Sequence, residues 1–168
     1  KYMFKTNSIS FIPKKRNKLE KIFSISTDKT VNTSSILGIS KYLMEMNLNR
    51  FANKKVIISS ARFVNVAFSN GSILKYVTDS IIQKKNFGIP DKVRRYFITH
   101  EEASCLCFKS LLERNNRKII VPNPKILNKD HLITDLVKKI IREFNYTAKF
   151  YKKKISNEII PIKFVMFY

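Results

Sequence analysis

The chain has 168 residues and a formal net charge of +21, from 33 basic residues against 12 acidic ones. Hydrophobic residues make up 44% of the chain and aromatic residues 12%, which excludes an intrinsically disordered protein. No apolar run approaches the ~20 residues of a membrane-spanning helix, and no signal-peptide pattern opens the sequence. We therefore expect a folded cytoplasmic protein with no membrane partner.

The basic residues are dispersed along the chain, in short runs at 14–16, 84–85, 94–95, 117–118, 138–139 and 152–154. Dispersed lysines are typical of solvated faces, whereas nucleic-acid binding calls for basic residues clustered against phosphates. We therefore do not expect nucleic acid as a partner. A non-catalytic basic module that binds RNA or another polyanion stays open as the alternative interpretation of the charge.

The first half of the chain alternates between strand and helix patterns. Residues 1–21 have weak periodicity and are typical of a frayed helix and a connector. The patterns then predict a strand at 21–27, cap residues at 32–35 that start a helix reaching Leu48, a strand at 55–63, a loop at 69–72 and a helix at 73–85.

The second half continues the alternation. Its patterns predict a turn at 88–91, a strand at 93–99, a helix at 101–113, a strand at 118–121, a helix at 131–144 and a strand at 147–151. Residues 152–168 have strand composition but no evident partner in the sequence. This alternation indicates an α/β fold with parallel strand pairing.

The cysteines and histidines predict no metal site. Cys105 and Cys107 stand two residues apart on a predicted helix, so their side chains face different sides. His100 and His131 have no second ligand at the spacing that a metal site requires. We expect no bound metal and two reduced, buried thiols.

A group of polar residues follows the first predicted strand. Thr27, Asp28 and Lys29 stand in succession at its end, and Lys41 follows on the next helix. Open α/β sheets bind ligands at the carboxyl ends of their strands, so this group is a candidate active site. A helix cap with two surface lysines is the alternative interpretation.

Four segments in chain order resemble the nucleotide-sugar 4,6-dehydratases that act on UDP-N-acetylglucosamine. These enzymes form the polysaccharide-biosynthesis branch of the extended short-chain dehydrogenase/reductases. The segments are FSISTDKTVN at 23–32, GISKYLME at 38–45, ARFVNVAFSNGS at 61–72, and RRYFIT at 94–99 followed by Glu102 and Ala103. The resemblance covers residues 22–146.

The resemblance implies roles for residues in the first two segments. Lys29 matches the base that removes the C5 proton of the sugar, and Asp28 matches the acid that protonates the departing 6-hydroxyl. Thr27 would hold the 4-hydroxyl, and Lys41 would bind the nicotinamide ribose of NAD or NADP. Phe63 ends a strand and is a candidate to face the nicotinamide, with a place in the core as the alternative.

The later segments imply the substrate contacts. Asn65 and Arg95 would contact the diphosphate region of a UDP-sugar, with Arg94 as a substitute for Arg95. Ser72 closes the segment that resembles the nucleotide-sugar loop. Arginine suits this role because its guanidinium can contact a phosphate with two parallel hydrogen bonds.

The chain departs from the family pattern in three places. Leu37 replaces the tyrosine or methionine of the family, and Thr33 stands where proline is usual. No glycine-rich phosphate loop precedes the motif, because the first glycine is Gly38. We therefore expect a truncated or incomplete enzyme that is inactive alone and works as a homo-oligomer or with a complementing chain. A folded remnant without activity is the alternative.

The predicted organisation is one incomplete domain over residues 1–168. It is expected to hold part of a Rossmann-type parallel sheet, without the N-terminal glycine-rich half, and a small substrate-binding region. Within it, we expect the end of the sheet with the active-site helix at 22–66, the substrate-binding region at 67–146, and an atypical tail at 147–168.

Overall fold

A computed structural model describes residues 2–9, 19–52, 55–125, 127, 129–145, 148–150 and 159–164. The helices are α1 (Tyr2–Phe4), α2 (Ile36–Asn49), α3 (Ile73–Ile82), α4 (His100–Leu112) and α5 (Ile133–Glu143). The strands are β1 (Lys21–Thr27), β2 (Ile57–Phe63), β3 (Asn65–Val66), β4 (Phe87–Pro90), β5 (Arg94–Arg95), β6 (Phe97–Ile98), β7 (Lys118–Ile120), β8 (His131–Leu132), β9 (Ala148–Phe150) and β10 (Ile159–Phe164).

Two short helical turns accompany these helices and strands. A π-helical turn at Lys5–Ile9 follows α1, and a 3₁₀ turn at Asp28–Thr30 follows β1. The connector predicted within 1–21 falls largely at residues 10–18, and much of the predicted tail falls at 151–158 and 165–168, outside the described residues. No helix in the described part of the chain is long and apolar enough to cross a membrane.

The described residues form two compact units. The first contains those of 1–64 and 101–126, and the second contains those of 65–100 and 127–168.

The first unit is built on a parallel sheet with the strand order β1-β2-β7. The register runs from Lys21 opposite Ile57 to Thr27 opposite Phe63, so both strands end at the same edge. Helix α2 covers one face, where Met44 and Leu48 pack in a cluster with apolar residues of the strands. The predicted α/β fold with parallel pairing is confirmed.

The opposite face of this sheet carries α4. Successive strand residues point to opposite faces, so Ser59 points away from the side that Ile58 shares with α2. The Ser59 hydroxyl donates a 2.6 Å hydrogen bond to the backbone oxygen of Ser110 in α4. Helices on both faces are the usual environment of a parallel sheet.

The second unit contains three small ladders. Strands β3 and β6 pair in parallel, β5 and β8 pair antiparallel, and β4-β10-β9 form an antiparallel sheet. Helices α3 and α5 enclose a core with β4, made of the buried residues Val77, Ile81, Phe87, Ile89, Ile133, Val137 and Ile141. The β5–β8 ladder places Arg94 opposite Leu132 and Arg95 opposite His131.

Several sequence predictions for the second unit were wrong. Residues 88–91 are not a turn, because Phe87–Pro90 forms β4, an edge strand that tolerates its proline. The strand composition of the tail is matched by β10, whose partners β4 and β9 were not evident in the sequence. The single strand predicted at 93–99 is two short strands with different partners, and α5 begins at Ile133 because His131–Leu132 pairs with β5.

Candidate active site

The carboxyl end of β1 turns directly into the 3₁₀ turn that carries the predicted proton-transfer residues. Thr27 caps this turn, because its Oγ1 accepts a hydrogen bond of 3.4 Å from the backbone N–H of Lys29. The same hydroxyl donates a 2.9 Å hydrogen bond to Asp28 Oδ1. Thr30 closes the turn by donating to the backbone oxygen of Thr27 at 2.7 Å. Local hydrogen bonds therefore fix the turn at the strand end.

Asp28 and Lys29 lie side by side in this turn. Lys29 Nζ is 3.5 Å from Asp28 Oδ1, and the two side chains are 38% and 41% exposed, respectively. An ion pair with this exposure contributes little to stability, because water screens both charges. The pair is open to a ligand, and one ligand could contact both members.

Gly38 sets the distance between this turn and α2. Ser35 caps α2 by accepting a 3.1 Å hydrogen bond from the backbone N–H of Gly38. A Cβ atom at position 38 would lie 2.3 Å from the backbone oxygen of Lys29, a distance that real Cβ atoms do not adopt. The position needs glycine because the backbone of the turn lies against the first turn of the helix.

Lys41 projects from α2 onto β1. Its Nζ donates a 3.0 Å hydrogen bond to the backbone oxygen of Ile25 and lies 3.9 Å from Met44 Sδ. Burial lowers the pKa of Lys41, and the charge of Glu45 partly opposes this shift. An ammonium has three donors, so one donor stays available to a ligand at this end of the strand.

Arg62 and Glu45 form an ion pair that the sequence analysis missed. Arg62 Nε and Nη2 donate to the two carboxylate oxygens of Glu45 at 3.0 and 2.6 Å. The Glu45 side chain is 4% exposed and that of Arg62 is 20% exposed. The hydrogen bond to Glu45 raises the pKa of Arg62 above its ordinary value. This fork ties α2 to the carboxyl end of β2.

Two further predicted positions lie nearby. Phe63 ends β2 opposite Thr27 and is partly buried, which agrees with either of its two expected places. Leu37 lies in the first turn of α2 with 36% of its surface exposed. Its backbone oxygen accepts a 3.0 Å hydrogen bond from the Ser40 hydroxyl.

The predicted substrate residues belong to the second unit. Asn65 Nδ2 donates a 3.0 Å hydrogen bond to the backbone oxygen of Tyr96, so it lies beside the residue that follows Arg95. The exposed Arg95 donates to the backbone oxygen of Arg94 at 2.9 Å. Ser72 caps α3 by accepting from the backbone N–H of Lys75.

Arg94 and Arg95 are not equivalent. Arg94 Nε donates to Asp130 Oδ2 at 2.9 Å, and its Nη2 donates to the backbone oxygen of Asp130 at 3.1 Å. The pKa of Asp130 is held below its usual value by that hydrogen bond. Arg94 is committed to the chain itself, whereas Arg95 keeps most of its donors for a ligand.

Among the described residues, no three His, Cys, Asp or Glu side chains gather into a group that would hold a metal ion. Both cysteines are free thiols, but the expectation that both are buried was wrong, because Cys105 is exposed. Burial raises the pKa of the partly buried Cys107.

The family model of the polysaccharide biosynthesis proteins matches residues 7–164. The chain belongs to this family. Family membership supports a place in polysaccharide biosynthesis, as the sequence analysis expected.

Three curated proteins are similar to this family member. The capsular polysaccharide biosynthesis protein CapD of Staphylococcus aureus is 30% identical over 76% of this chain and 21% of its own length. The probable polysaccharide biosynthesis protein EpsC of Bacillus subtilis is 30% identical over 83% of this chain and 22% of its own length. An uncharacterized membrane protein of Methanocaldococcus jannaschii is 32% identical over 82% of this chain and 43% of its own length.

A solved structure supports the fold of this family member. The X-ray structure of Pen from Bacillus thuringiensis aligns with a TM-score of 0.67 at 18% identity, over 75% of this chain and 39% of that chain. The likeness confirms a partial Rossmann-type fold. The chain spans about a fifth to two fifths of the length of the proteins it matches.

Proposed function

We propose that this chain carries the proton-transfer and substrate-binding residues of a nucleotide-sugar 4,6-dehydratase that acts on UDP-N-acetylglucosamine. The observation that carries the proposal is the Asp28–Lys29 pair, with Nζ 3.5 Å from Oδ1 at the carboxyl end of a parallel strand. Membership of the polysaccharide biosynthesis family supports it. An elimination of water needs a base and an acid within reach of neighbouring carbon atoms, and this turn provides both.

The two side chains divide the elimination between them. Neutral Lys29 takes the proton from C5, and the electrons of the broken C5–H bond form a double bond between C5 and C6. The C6–O bond breaks, and the protonated carboxyl of Asp28 supplies the proton that turns the departing hydroxyl into water. Thr27, whose hydroxyl already contacts Asp28 at 2.9 Å, would hold the 4-hydroxyl of the sugar.

The protons balance over the full cycle. Oxidation at C4 releases the proton of the 4-hydroxyl, and the Thr27 hydroxyl, which donates to Asp28 at 2.9 Å, can pass a proton on to that carboxylate. Asp28 then gives this proton to the departing 6-hydroxyl. Lys29 returns its proton to C5 when C6 receives the hydride, so both side chains end with the protons they had at the start.

Lys41 and Phe63 would hold the nicotinamide ribose of NAD or NADP. Lys41 has one donor left after its contacts with Ile25 and Met44, and the partly buried ring of Phe63 ends the neighbouring strand. The cofactor, when bound, supplies oxidation at C4 and returns the hydride at C6. Lys41 would orient it, and Phe63 would cover its apolar face.

Residues of the second unit would hold the nucleotide part of the substrate. Arg95 is exposed and uses one hydrogen bond on a backbone oxygen of the chain, so its remaining donors are free for a diphosphate. Asn65 lies beside Tyr96, the next residue after Arg95. Ser72 would contribute from the start of α3, where its hydroxyl also caps the helix.

Calorimetric titration with UDP-N-acetylglucosamine tests the substrate part of the proposal. We expect saturable binding that changes little between two salt concentrations and weakens by about tenfold to a hundredfold in Arg95→Ala, because a charged hydrogen bond contributes ~1.5–3 kcal/mol. Arg114→Ala removes an exposed arginine from the first unit and serves as the matched control. Absence of sugar binding, with salt-sensitive uptake of RNA, would overturn the proposal in favour of a basic module.

Mass spectrometry of the sugar product tests the proton-transfer part. With NAD and a complementing chain that supplies the glycine-rich phosphate loop, we expect the nucleotide sugar to lose one water, and Lys29→Met or Asp28→Asn to slow this loss by about a hundredfold or more. Lys109→Met removes an exposed lysine of α4 and should leave the rate unchanged. Equal rates in Lys29→Met and Lys109→Met would rule out Lys29 as the base.

A further inference from the structure

The second unit contains a cavity of about 660 Å³ that the proposed dehydratase chemistry does not use. Small-molecule sites commonly have volumes of ~300–1,000 Å³, so the cavity is large enough for a compact ligand. Its cationic lining consists of Arg94, Lys129, Lys138, Lys139 and Arg142, with His131 beside them.

The amphipathic pattern of α5 builds one wall of this cavity. Ile133, Val137 and Ile141 recur at intervals of four residues and are buried in the core of the unit. Lys138 and Arg142 recur at the same interval on the other side of the helix, where they line the cavity. The other wall comes from Arg94 of β5 and from the segment that leads into β8.

The charges in the cavity do not balance. Its two acidic residues are each paired, Asp130 with Arg94 at 2.9 Å and Asp135 with Lys138 at 3.9 Å. In the described part of the chain, no acidic side chain forms a salt bridge with Lys129, Lys139 or Arg142. Three cations therefore converge on one concave surface without a counter-charge from the residues that the structure describes, an arrangement that concentrates anions.

This cavity is separate from the diphosphate contact proposed for Arg95. Arg94 lines the cavity, whereas its neighbour Arg95 does not. Successive residues of a strand point to opposite sides, and the two arginines have different hydrogen-bond partners. An anion held by α5 therefore would not compete for the donors of Arg95.

We propose that the cavity is a second anion site, which binds a small ligand through a diphosphate group. Arg142 offers a planar guanidinium that can contact a phosphate with two hydrogen bonds, and the lysines add mobile point charges. Two linked phosphates suit three unpaired cations better than one monoanion does. The proposal concerns a site beyond the one assigned to the sugar nucleotide.

Calorimetric titration of the full chain with inorganic pyrophosphate tests this site. We expect saturable binding whose affinity falls about tenfold in the double variant Lys139→Gln/Arg142→Gln. Lys84→Gln/Lys85→Gln makes the same change of net charge at two exposed positions of the same unit outside the cavity, and it should bind as the unmodified chain does. Arg95→Ala should keep pyrophosphate binding.

Three results would overturn the proposal. These are no pyrophosphate binding, equal weakening in the two double variants, and loss of binding in Arg95→Ala. Equal weakening would mean that only the overall charge matters, and loss in Arg95→Ala would assign the anion to the substrate contact. Circular dichroism checks that each variant is folded. If the double variant does not fold, the single substitution Lys139→Gln repeats the test with a smaller change.

Discussion

At the carboxyl ends of β1 and β2, each cation of the candidate active site has a partner of its own, whereas around α5 the cations outnumber the acids. Lys29 lies beside Asp28, Arg62 is bound by Glu45, and Lys41 donates to a backbone oxygen. The α5 cavity places five cationic side chains against two acidic ones. Matched charges hold side chains in fixed positions, and unmatched charges attract an anion from solution. Removing an acid should therefore have opposite consequences in the two regions.

The largest expected effect comes from removing the acid of the buried pair. Glu45→Ala should lower the free energy of unfolding by about 3 kcal/mol, because it leaves Arg62 partly buried with no counter-charge. Urea denaturation at neutral pH measures this. Glu20→Ala removes an exposed carboxylate of the same unit and should change stability by less than about 0.5 kcal/mol.

A second variant separates the cost of the unpaired charge from the loss of packing. Replacing both partners, as Glu45→Met with Arg62→Met, should recover most of the lost stability, since apolar side chains often substitute well for a buried ion pair. A Glu45→Ala protein that loses less than about 1 kcal/mol would show that this pair does not hold α2 to β2.

The next largest effect comes from the contact between the active-site turn and α2. A Cβ in Gly38→Ala would meet the backbone oxygen of Lys29 at 2.3 Å, so the turn has to move. We expect a loss of about 2 kcal/mol in unfolding free energy. If Lys29 acts as the base, water elimination should also slow while Arg95-dependent sugar binding persists.

Gly71→Ala is the matched glycine substitution. Its added Cβ would have no neighbour within 4 Å, but its φ of +77° disfavours alanine, at a cost of about 1 kcal/mol. It should therefore destabilise the protein without slowing elimination. Equal losses of elimination activity in both variants would mean that Gly38 contributes only to stability.

Local sequence patterns were sufficient to predict β1, α2 and the active-site turn of the first unit. The strand at Lys21–Thr27 and the helix that follows Ser35 were both predicted, because their apolar periodicity and cap residues are contained within a few neighbouring positions. Asp28 and Lys29 are adjacent in sequence, so their proximity follows from the chain itself. The position of Gly38 against Lys29 depends on how α2 packs, which spacing alone does not define.

Contacts between residues distant in sequence could not be predicted from local patterns. Arg62 meets Glu45 because the β1–β2 register places Arg62 opposite Ser26, beneath α2. The sequence contained one signal for Glu45. It lies four residues after Lys41, a spacing that puts both side chains on the same side of the helix, near the candidate site. Likewise, β4 pairs with a strand that lies about 70 residues later, so Gly88 and Pro90 were interpreted from their turn preference alone.

The smallest effect on stability is expected for Asp130→Asn in the α5 cavity, and this substitution should also raise the affinity for pyrophosphate. Asp130 is stabilised as a carboxylate by the hydrogen bond from Arg94, which lowers its pKa. That contribution to stability is present above the ordinary pKa of aspartate and is lost as the pH falls through the lowered value. Because the Arg94 and Asp130 side chains are 47% and 34% exposed, respectively, Asp130→Asn should change the unfolding free energy at neutral pH much less than Glu45→Ala does.

The same Asp130→Asn substitution removes a negative charge from the cavity wall and leaves Arg94 without its charged partner, although Arg94 Nη2 keeps its hydrogen bond to the backbone oxygen of residue 130. Pyrophosphate should then bind about twofold to fivefold more tightly in calorimetric titration. Asp79→Asn breaks the Lys75–Asp79 pair of α3, which lies in the same unit outside the cavity, so it controls for the change in net charge. Greater tightening in Asp130→Asn than in Asp79→Asn would show that the cavity itself collects the anion. Equal affinities would mean that Arg94 takes no part in binding, and that the contrast between the two regions is one of net charge alone.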